Sequence, residues 1–360
     1  YSWMVKKMAF NLEMYPITYM AQYNPETKQW DEQWIEKDRV SLKELQAMNE
    51  EERAKVLANR NNLNLPGVSY TSQYGYGCFE GMKAFRGVDG KIRLFRPYEN
   101  AKRLIRSAEG VMMAPVPEEL FVKACIEVVK RNERFVPPAG SGASLYLRPL
   151  LIGTGAQVGV KPANEYLFVV FAGPVGPYFK EGFKPVQIQI VKDADRAAPL
   201  GTGTLKVGGN YAASLQSGQR AHDEGFSNVL YLDAKEKKYI DEAGAANFFG
   251  IKDNTYCTPK SSSILPSITN MSLRQLAEDM GLKVEQRQIA IDELSTFEEV
   301  AACGTAAVIS PIGKIVDRET GKVYDYGTEA GPICTKLYKQ LKGIQEGEVE
   351  DTHNWNLVVE

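Results

Sequence analysis

One lysine in a glycine-rich segment is the residue whose neighbours most strongly indicate chemistry. Lys206 lies in Leu200–Ser214 (LGTGTLKVGGNYAAS), where four glycines fall within nine residues. The segment does not fit a GxGxxG dinucleotide fingerprint, because Lys206 occupies the third glycine position. It does not fit a phosphate loop either, because Val207 stands where serine or threonine is required. Two interpretations remain: a neutral amine that bonds to an aldehyde cofactor, or a solvent-facing lysine on a glycine loop, which composition alone favours.

Histidine content, cysteine content and net charge argue against several other kinds of site. The chain has 360 residues, a formal net charge of -2 and only two histidines, His222 and His353. So few imidazoles argue against a Ser-His-Asp triad or a multi-histidine metal site, and we expect no metal. The balanced charge and the absence of about 20 consecutive apolar residues indicate neither a nucleic-acid nor a membrane partner. Five scattered cysteines without a CxxC pair favour a reducing, cytoplasmic setting.

Strand and helix patterns interleave along the chain and predict an α/β or α+β fold with two domains. A charged segment, 41–60, predicts a helix with Ser41 as its N-cap. Further amphipathic helices are predicted at 100–110, 117–135 and 267–280. Strands are predicted at 144–152, 166–172, 186–191, 228–233, 239–241, 247–251 and 255–258.

A glycine- and proline-rich segment divides the chain. Residues 173–184 (GPVGPYFKEGFK) contain three glycines and two prolines, and we interpret them as an interdomain linker. The N-terminal α/β domain would then comprise residues 1–172, and the larger C-terminal domain residues 185–360.

Six motifs in order along the chain resemble the branched-chain aminotransferases, members of the fold-type-IV pyridoxal-phosphate enzymes. One is the segment around Lys206, and the resemblance runs from about Tyr74 to about Pro311. The other five motifs are FEGMKAF (79–85), SLYLRPLLIG (144–153), DEAGAANF (241–248), ILPSIT (264–269) and GTA (304–306). Each motif is weak alone, but six in the family's order are specific. The resemblance implies a two-domain fold-type-IV enzyme with pyridoxal 5'-phosphate bound in its C-terminal domain.

The resemblance assigns the cofactor's reactive groups. Lys206 would form the Schiff base and, once a substrate amine displaces it, move a proton between the substrate and the cofactor. Glu242 would keep the pyridine nitrogen protonated, with Asp241 as the fallback, because neighbouring strand side chains point to opposite faces. Tyr211 would donate a hydrogen bond to the phenolic oxygen of the cofactor.

The resemblance also assigns the phosphate site. Ile268 and Thr269 would offer backbone N–H groups at the start of a helix, which is a ready anion site. Thr305 would add a contact, and Arg103 would pair with the phosphate. Without the resemblance, Arg103 reads as a surface charge on a helix.

Substrate residues follow from the same resemblance. The turn at Thr305 and Ala306 would hold the α-carboxylate, and Arg148 would meet the second carboxylate of glutamate. A neighbouring subunit would contribute a loop to the pocket, so a homodimer is implied. The apolar wall of the pocket would comprise Tyr74, Phe79, Tyr146 and Tyr178. The loop would carry Val158 and Val160.

The sequence departs from the family pattern at three places. AVIS stands at 307–310, where relatives of the mammalian enzymes have CxxC. Ala245 stands where threonine is common, and Asn270 stands where arginine is common. The last change removes a charge near the predicted phosphate site.

The predicted reaction is transfer of the amino group of L-leucine, L-isoleucine or L-valine to 2-oxoglutarate, as in branched-chain amino-acid biosynthesis. The nearest alternatives are a D-amino-acid aminotransferase or an aminodeoxychorismate lyase of the same fold, which fit FEGMKAF and SLYLRP poorly. A nucleotide-binding protein using the loop around Lys206 belongs to a different class, and the broken fingerprints count against it. A non-catalytic binding protein is the third alternative.

Overall fold

The computed structural model describes residues 14–37, 40–60, 62–178 and 182–360. The chain forms two compact units, the first comprising residues 1–177 and 344–360 and the second comprising residues 178–343. Both units combine helices with a sheet, so the mixed, two-domain fold expected from the sequence is confirmed. No described helix is both long and apolar enough to traverse a lipid bilayer.

Strands and helices alternate in both units. The strands are β1 Ile17–Asn24, β2 Gln29–Glu36, β3 Gly77–Phe79, β4 Met82–Arg86, β5 Ile92–Phe95, β6 Ser144–Thr154, β7 Glu165–Val175, β8 Val186–Val191, β9 Asn228–Leu232, β10 Ile240–Ala243, β11 Ala246–Lys252, β12 Thr255–Pro259, β13 Lys283–Arg287, β14 Glu299–Gly304, β15 Val308–Asp317, β16 Val323–Asp325 and β17 Asn356–Val359. The α-helices are α1 Leu42–Ala47, α2 Glu50–Asn59, α3 Tyr70–Tyr74, α4 Pro97–Gly110, α5 Glu118–Arg131, α6 Gly208–Ala213, α7 Leu215–Asp223, α8 Ile268–Asp279 and α9 Pro332–Gln345. Short 3-10 helices lie at Glu133–Phe135 and Ile291–Thr296.

The first unit is built on an antiparallel sheet with the strand order β17-β5-β4-β6-β7-β1-β2, and β3 also pairs with β6. Strand β7 (EYLFVVFAGPV) is almost entirely buried and pairs with β6 on one edge and β1 on the other. Helix α5 covers β7, and the rings of Phe121 and Phe168 meet edge to face, 6.0 Å apart. This packing fixes β6, which carries Tyr146 and Arg148.

The second unit contains a closed ring of strands. The order β10-β9-β8-β15-β14-β11 closes because β10 also pairs with β11, while β12 and β13 extend the sheet beyond β11. A two-residue turn joins β10 to β11 and begins at Gly244, whose φ of 60° favours glycine. A β-carbon there would also collide with the side chain of Asn228. This turn sets Glu242 directly opposite Asn247 in the ladder.

The two faces of the strands β8 and β9 pack against different partners. Ile188 and Leu230 join a large apolar cluster that includes the 3-10 helix at Ile291–Thr296. Val229 and the opposite face pack with α7. Strands buried on both faces explain the near-continuous apolar runs in the sequence.

The helix and strand predictions are largely confirmed, except that one predicted helix is divided into two. The strands predicted at 144–152 and 166–172 lie within β6 and β7, and the helix predicted at 267–280 is α8. The charged segment 41–60 forms two helices, because Asn49 caps α2 with its own capping box. Ser41 caps α1, as expected.

The compact units divide between Pro177 and Tyr178, within the segment 173–184 that the sequence proposes as a linker. Two parts of the chain differ from the proposed boundaries. Strand β7 continues to Val175, and β17, placed by sequence in the C-terminal domain, pairs with β5 of the first unit. Pairing between strands so distant in sequence leaves no local pattern.

Candidate active site

Lys206 and Tyr211 meet in the second unit. Lys206 lies just before α6, and its Nζ donates a hydrogen bond to the Tyr211 hydroxyl, 2.8 Å away. Asn210 secures the preceding turn by donating from Nδ2 to the carbonyls of Leu205 and Thr202 at 2.9 and 2.8 Å. The lysine is half-buried and so is not the fully solvent-facing residue of the alternative interpretation.

Glu242 on β10 is buried, with 1% of its surface exposed. Its Oε1 accepts hydrogen bonds from Asn247 Nδ2 at 2.9 Å and from the backbone N–H of Leu265 at 3.2 Å. Its Oε2 forms an ion pair with Arg196 Nε and, within the described part of the chain, accepts no hydrogen bond. One carboxylate oxygen is therefore held by two donors, and the other is available for a further donor.

Asp241 is also buried, but it has different partners. It accepts hydrogen bonds from Ser261 at 3.1 Å and Ser263 at 2.7 Å. Burial raises the pKa of Asp241, and the two serine hydroxyls oppose this shift. Because the serines occupy both of its oxygens, Glu242 is the better candidate for a ligand.

Burial raises the pKa of Glu242 from 4.5 to about 7. The positive charge of Arg196, the Leu265 N–H and the charge of Lys206 each lower it in part. The influence of Lys206 is electrostatic, so the predicted Schiff-base lysine and the predicted ring partner act on each other within one unit. A carboxyl group with this pKa can hold or release a proton near neutral pH.

Arg196 ties three segments of the site together. Its Nη1 donates to the carbonyls of Gly203 at 3.1 Å and Ser263 at 2.5 Å, while its Nε meets Glu242. Gly203 permits this arrangement, because a β-carbon there would collide with the Ser263 carbonyl. Arg196 was not predicted from the sequence; its place ten residues before Lys206 could have suggested that it belongs to the same loop.

The start of α8 presents a candidate anion site. Ser267 caps the helix and accepts the N–H of Asn270 at 3.0 Å. The N–H groups of Ile268 and Thr269, in the first turn, have no acceptor within the helix. Both residues are buried, so these N–H groups and the positive end of the helix dipole act in a weakly solvated environment.

The turn containing Thr305 and Ala306 joins β14 to β15, and Val308 closes it at a φ of 66°. A β-branched residue rarely adopts this left-handed conformation, which costs about 1–3 kcal/mol. The pairing of Asn247 with Cys303 places this turn at the same sheet end as the β10–β11 turn. It therefore lies near the end of the strand that carries Glu242.

A second cluster of predicted residues lies in the first unit. Arg148 Nη2 donates to the Tyr146 hydroxyl at 2.8 Å, and its guanidinium lies 4.6 Å from the Phe79 ring centre. Arg148 Nε is buried and, among the described residues, has no hydrogen-bond partner. A cation between two aromatic rings with an unused N–H is suited to bind an anionic group.

Arg103 is buried in the first unit and is not the surface charge that its helix pattern suggested. Its Nε and Nη2 form a bidentate pair with Glu80, each at 2.7 Å, and Asn100 Nδ2 also donates to Glu80 at 2.8 Å. Glu80 is the glutamate of FEGMKAF, a partner that was not predicted from the sequence. The pair holds the guanidinium in a fixed orientation.

The remaining predicted residues are more exposed. Tyr74 donates its hydroxyl hydrogen to the Val158 carbonyl. The side chains of Val158 and Val160 are 70% and 84% exposed, and those of Tyr74 and Tyr178 are about half exposed.

The residues of the second unit fit pyridoxal phosphate. They offer a lysine amine for the aldehyde, a phenol beside it, a helix start for the phosphate and a buried carboxylate with one available oxygen for the ring nitrogen. These features fit a lysine-dependent pyridoxal-phosphate enzyme. The family model of amino-transferase class IV matches residues 77–315, and the chain belongs to this family, whose cofactor is pyridoxal phosphate.

The chain is also similar to particular members of the family. It is 50% identical over 311 residues to a branched-chain-amino-acid aminotransferase of Haemophilus influenzae, covering 84% of this chain and 90% of that protein. It is 52% identical over 302 residues to one of Helicobacter pylori, covering 83% and 88%. Among solved structures, the Escherichia coli branched-chain aminotransferase has a TM-score of 0.69 at 27% identity, covering 83% of this chain and 95% of that one. The T.th. branched-chain aminotransferase with pyridoxamine 5'-phosphate has a TM-score of 0.71 at 26% identity, covering 83% and 94%.

Glu242→Gln tests the consequence of burying this carboxyl group in the protein stripped of cofactor. The folded pKa of about 7 lies above the ordinary 4.5. The unfolded chain therefore ionises first, and the free energy of unfolding of the native protein falls as the pH rises from about 4.5 to about 7. The variant lacks this fall. Its free energy of unfolding should therefore equal that of the native protein near pH 4.5 and exceed it above pH 7 by on the order of 1–3 kcal/mol.

Denaturant unfolding at several pH values measures the difference. Glu298→Gln, at an exposed position of the same unit, is the matched control and should leave the pH dependence unchanged. An unchanged pH dependence in Glu242→Gln would contradict the assignment of a raised pKa to Glu242.

Proposed function

We propose that this protein is a branched-chain-amino-acid aminotransferase that transfers the amino group of L-leucine, L-isoleucine or L-valine to 2-oxoglutarate. The observation that carries the proposal is the meeting of Lys206 with Tyr211 in one unit with a buried Glu242. The relatives at 50% and 52% identity, named for this activity, support the choice of substrate.

Lys206 performs the proton transfers. Its amine would hold the cofactor covalently at the aldehyde carbon until a substrate amine takes its place. When free, the same amine would act as the base that takes the proton from the substrate's α carbon. The Tyr211 hydroxyl, 2.8 Å away, orients the Nζ. When bound, pyridoxal phosphate supplies the electron-withdrawing ring that stabilises negative charge on the α carbon.

Glu242 would hold the proton of the ring nitrogen with its available Oε2. Beside a protonated ring nitrogen this carboxyl group would ionise, because an opposite charge lowers the pKa that burial has raised, and the ion pair would keep that nitrogen protonated. Ile268, Thr269 and Thr305 would bind the phosphate through N–H and hydroxyl groups. Arg103 would bind the phosphate by hydrogen bonding rather than by net charge, because Glu80 already neutralises its guanidinium.

Arg148 would let one pocket bind both branched-chain amino acids and glutamate. A branched-chain side chain needs an apolar wall, which Phe79 and Tyr146 supply, together with Tyr74 and Tyr178. Glutamate brings a second carboxylate, which the unused N–H of Arg148 would meet. The turn at Thr305 and Ala306 would hold the α-carboxylate that both substrates share.

The loop between β6 and β7 supports a homodimer. Its backbone is held by hydrogen bonds, from Tyr70 to the Gly159 carbonyl at 2.6 Å and from Gln73 to the Gln157 carbonyl at 2.6 Å. It nevertheless exposes Val158 and Val160. Apolar side chains held outward on an ordered loop suit contact with a second copy of the chain.

A cytoplasmic location is also part of the proposal. It rests on the five cysteines, all of which are buried as free thiols.

Lys206→Ala should abolish the visible absorbance of bound cofactor and lower the turnover of L-leucine with 2-oxoglutarate by about 10²–10⁴-fold or more, because both the covalent bond and the base are lost. Lys235→Ala, an exposed lysine of the same unit, is the control. Circular dichroism checks that both variants are folded. Normal turnover in Lys206→Ala, or a preference of the native enzyme for D-alanine, would exclude the proposal.

Arg148→Met should lower kcat/KM for glutamate about 10- to 100-fold relative to that for leucine, because only glutamate loses a charge-assisted hydrogen bond. The ratio of the two substrates within one variant cancels general damage to the fold. Arg106→Met, at an exposed position of α4, should leave the ratio unchanged. Equal losses for both substrates would remove Arg148 from substrate selection.

Val160→Asp should raise the dissociation constant of the dimer at least about tenfold, because a charge is expensive to bury at an apolar contact. Sedimentation velocity should give the native protein about twice the chain mass of 40.1 kDa. Val88→Asp, at an exposed position of the same unit, is the matched control. A native protein that sediments as a monomer at micromolar concentration would refute the homodimer.

A further inference from the structure

A chain of buried polar side chains lies behind Glu242. Asn247, Asn270 and Thr258, which we call the amide relay, are joined by hydrogen bonds in the second unit. Asn270 Nδ2 donates to Asn247 Oδ1 at 3.0 Å and to Thr258 Oγ1 at 2.9 Å. Asn247 Nδ2 then donates to Glu242 at 2.9 Å. The relay therefore connects the first turn of α8 with the carboxylate on β10.

The direction of the relay is set by a backbone carbonyl. Thr258 Oγ1 donates its only proton to the Phe248 carbonyl at 2.7 Å, and a carbonyl can only accept. Towards Asn270, the threonine hydroxyl must therefore act as an acceptor. This requires the NH₂ group of Asn270 to face Thr258 and its carbonyl oxygen to face the hydroxyl of Tyr256, which lies at 2.7 Å.

The orientation of Asn247 follows from this arrangement. Its oxygen accepts from Asn270, so its NH₂ group faces Glu242 and the Leu265 carbonyl, the latter at 3.0 Å. A reversed Asn247 amide would set its oxygen against both a carboxylate and a carbonyl. Asn247 and Asn270 are both buried, so water cannot satisfy a reversed amide.

The charged and titratable groups around Glu242 act on it differently from the donors to Oε1. Arg196 meets Oε2, and Lys206 adds a positive charge from the cofactor side. Asp241 opposes ionisation of Glu242, and the buried thiol of Cys303 feels its charge. The donors to Oε1 are the Asn247 amide and the Leu265 N–H.

We propose that Asn270 is a positioning residue that acts through Asn247 to aim a hydrogen-bond donor at Glu242, and so sets the orientation and proton affinity of this carboxylate. The proposal rests on the proposed function of Glu242 as the partner of the ring nitrogen. Asn270 is one of the positions where the sequence departs from the family pattern, in which arginine is common. The side-chain amide of Asn270 is directed into the sheet, where it donates to Asn247, the residue that donates to Glu242.

The test is a double-mutant cycle between Asn270→Leu and Glu242→Gln in the full chain stripped of cofactor. Asn270→Leu removes the donor that orients Asn247, so ionised Glu242 loses support. The fall in unfolding free energy with rising pH should then extend about one pH unit higher than in the native protein. In the Glu242→Gln background, the same substitution should produce a change that does not vary with pH.

Thr258→Val provides a second route if Asn270→Leu does not fold. It removes the hydroxyl that anchors the relay, keeps the side-chain shape and should shift the pH dependence in the same direction. Ser217→Ala is the control, because it removes a buried hydrogen bond to Tyr231 of the same unit. It should lower stability equally at all pH values.

Two results would overturn the proposal. One is a pH dependence in Asn270→Leu and Thr258→Val that equals that of the native protein, which would make the relay a packing feature only. The other is an upward shift that persists in the Glu242→Gln background, which would assign the effect to another group. Because no cofactor or turnover is involved, failure here leaves the Lys206→Ala result, and with it the proposed function, unaffected.

Discussion

A carboxylate placed inside a sheet must be compensated, and this requirement organises the second unit around Glu242. An isolated buried charge costs more free energy than the whole fold provides. Arg196 pairs with one carboxylate oxygen, and two N–H groups donate to the other. The compensation is incomplete, since burial still raises the pKa to about 7. Incomplete compensation leaves room for one more positive partner, because a further cation beside Oε2 would stabilise the ionised carboxylate.

The closed ring of strands makes this compensation possible. A tight turn at Gly244 sets Glu242 opposite Asn247, and the next pairing sets Asn247 opposite Cys303. Each strand therefore fixes one component of the site relative to the next by backbone hydrogen bonds. Arg196 adds the loop before Lys206 through the Gly203 and Ser263 carbonyls. Groups far apart in sequence are thus held within hydrogen-bonding distance by elements that cannot shift independently.

Contacts between residues close in sequence could be predicted, and contacts between distant residues could not. Lys206 and Tyr211 are five residues apart, so their contact is local and a sequence motif can predict it. Alternation along a strand correctly separates Asp241 from Glu242, whose side chains have different partners. The pairing of Arg103 with Glu80 could not be predicted, because a helix pattern shows neither the strand it packs against nor the burial of its charge. Arg196 was missed because it lies outside the recognised motifs, although its place ten residues before Lys206 was a signal.

Asn270 shows how a departure from a family pattern can be interpreted only with the structure. From the sequence, the change from arginine reads as a charge lost near the phosphate. In the fold, this residue lies in the first turn of α8 with its side chain directed into the sheet, where Thr258 and Tyr256 complete its hydrogen bonds. An arginine side chain is longer and carries a charge, so it could not replace the amide within this network without leaving buried groups unpaired. Asn270 therefore supports the carboxylate on β10 from the first turn of α8, through the amide of Asn247.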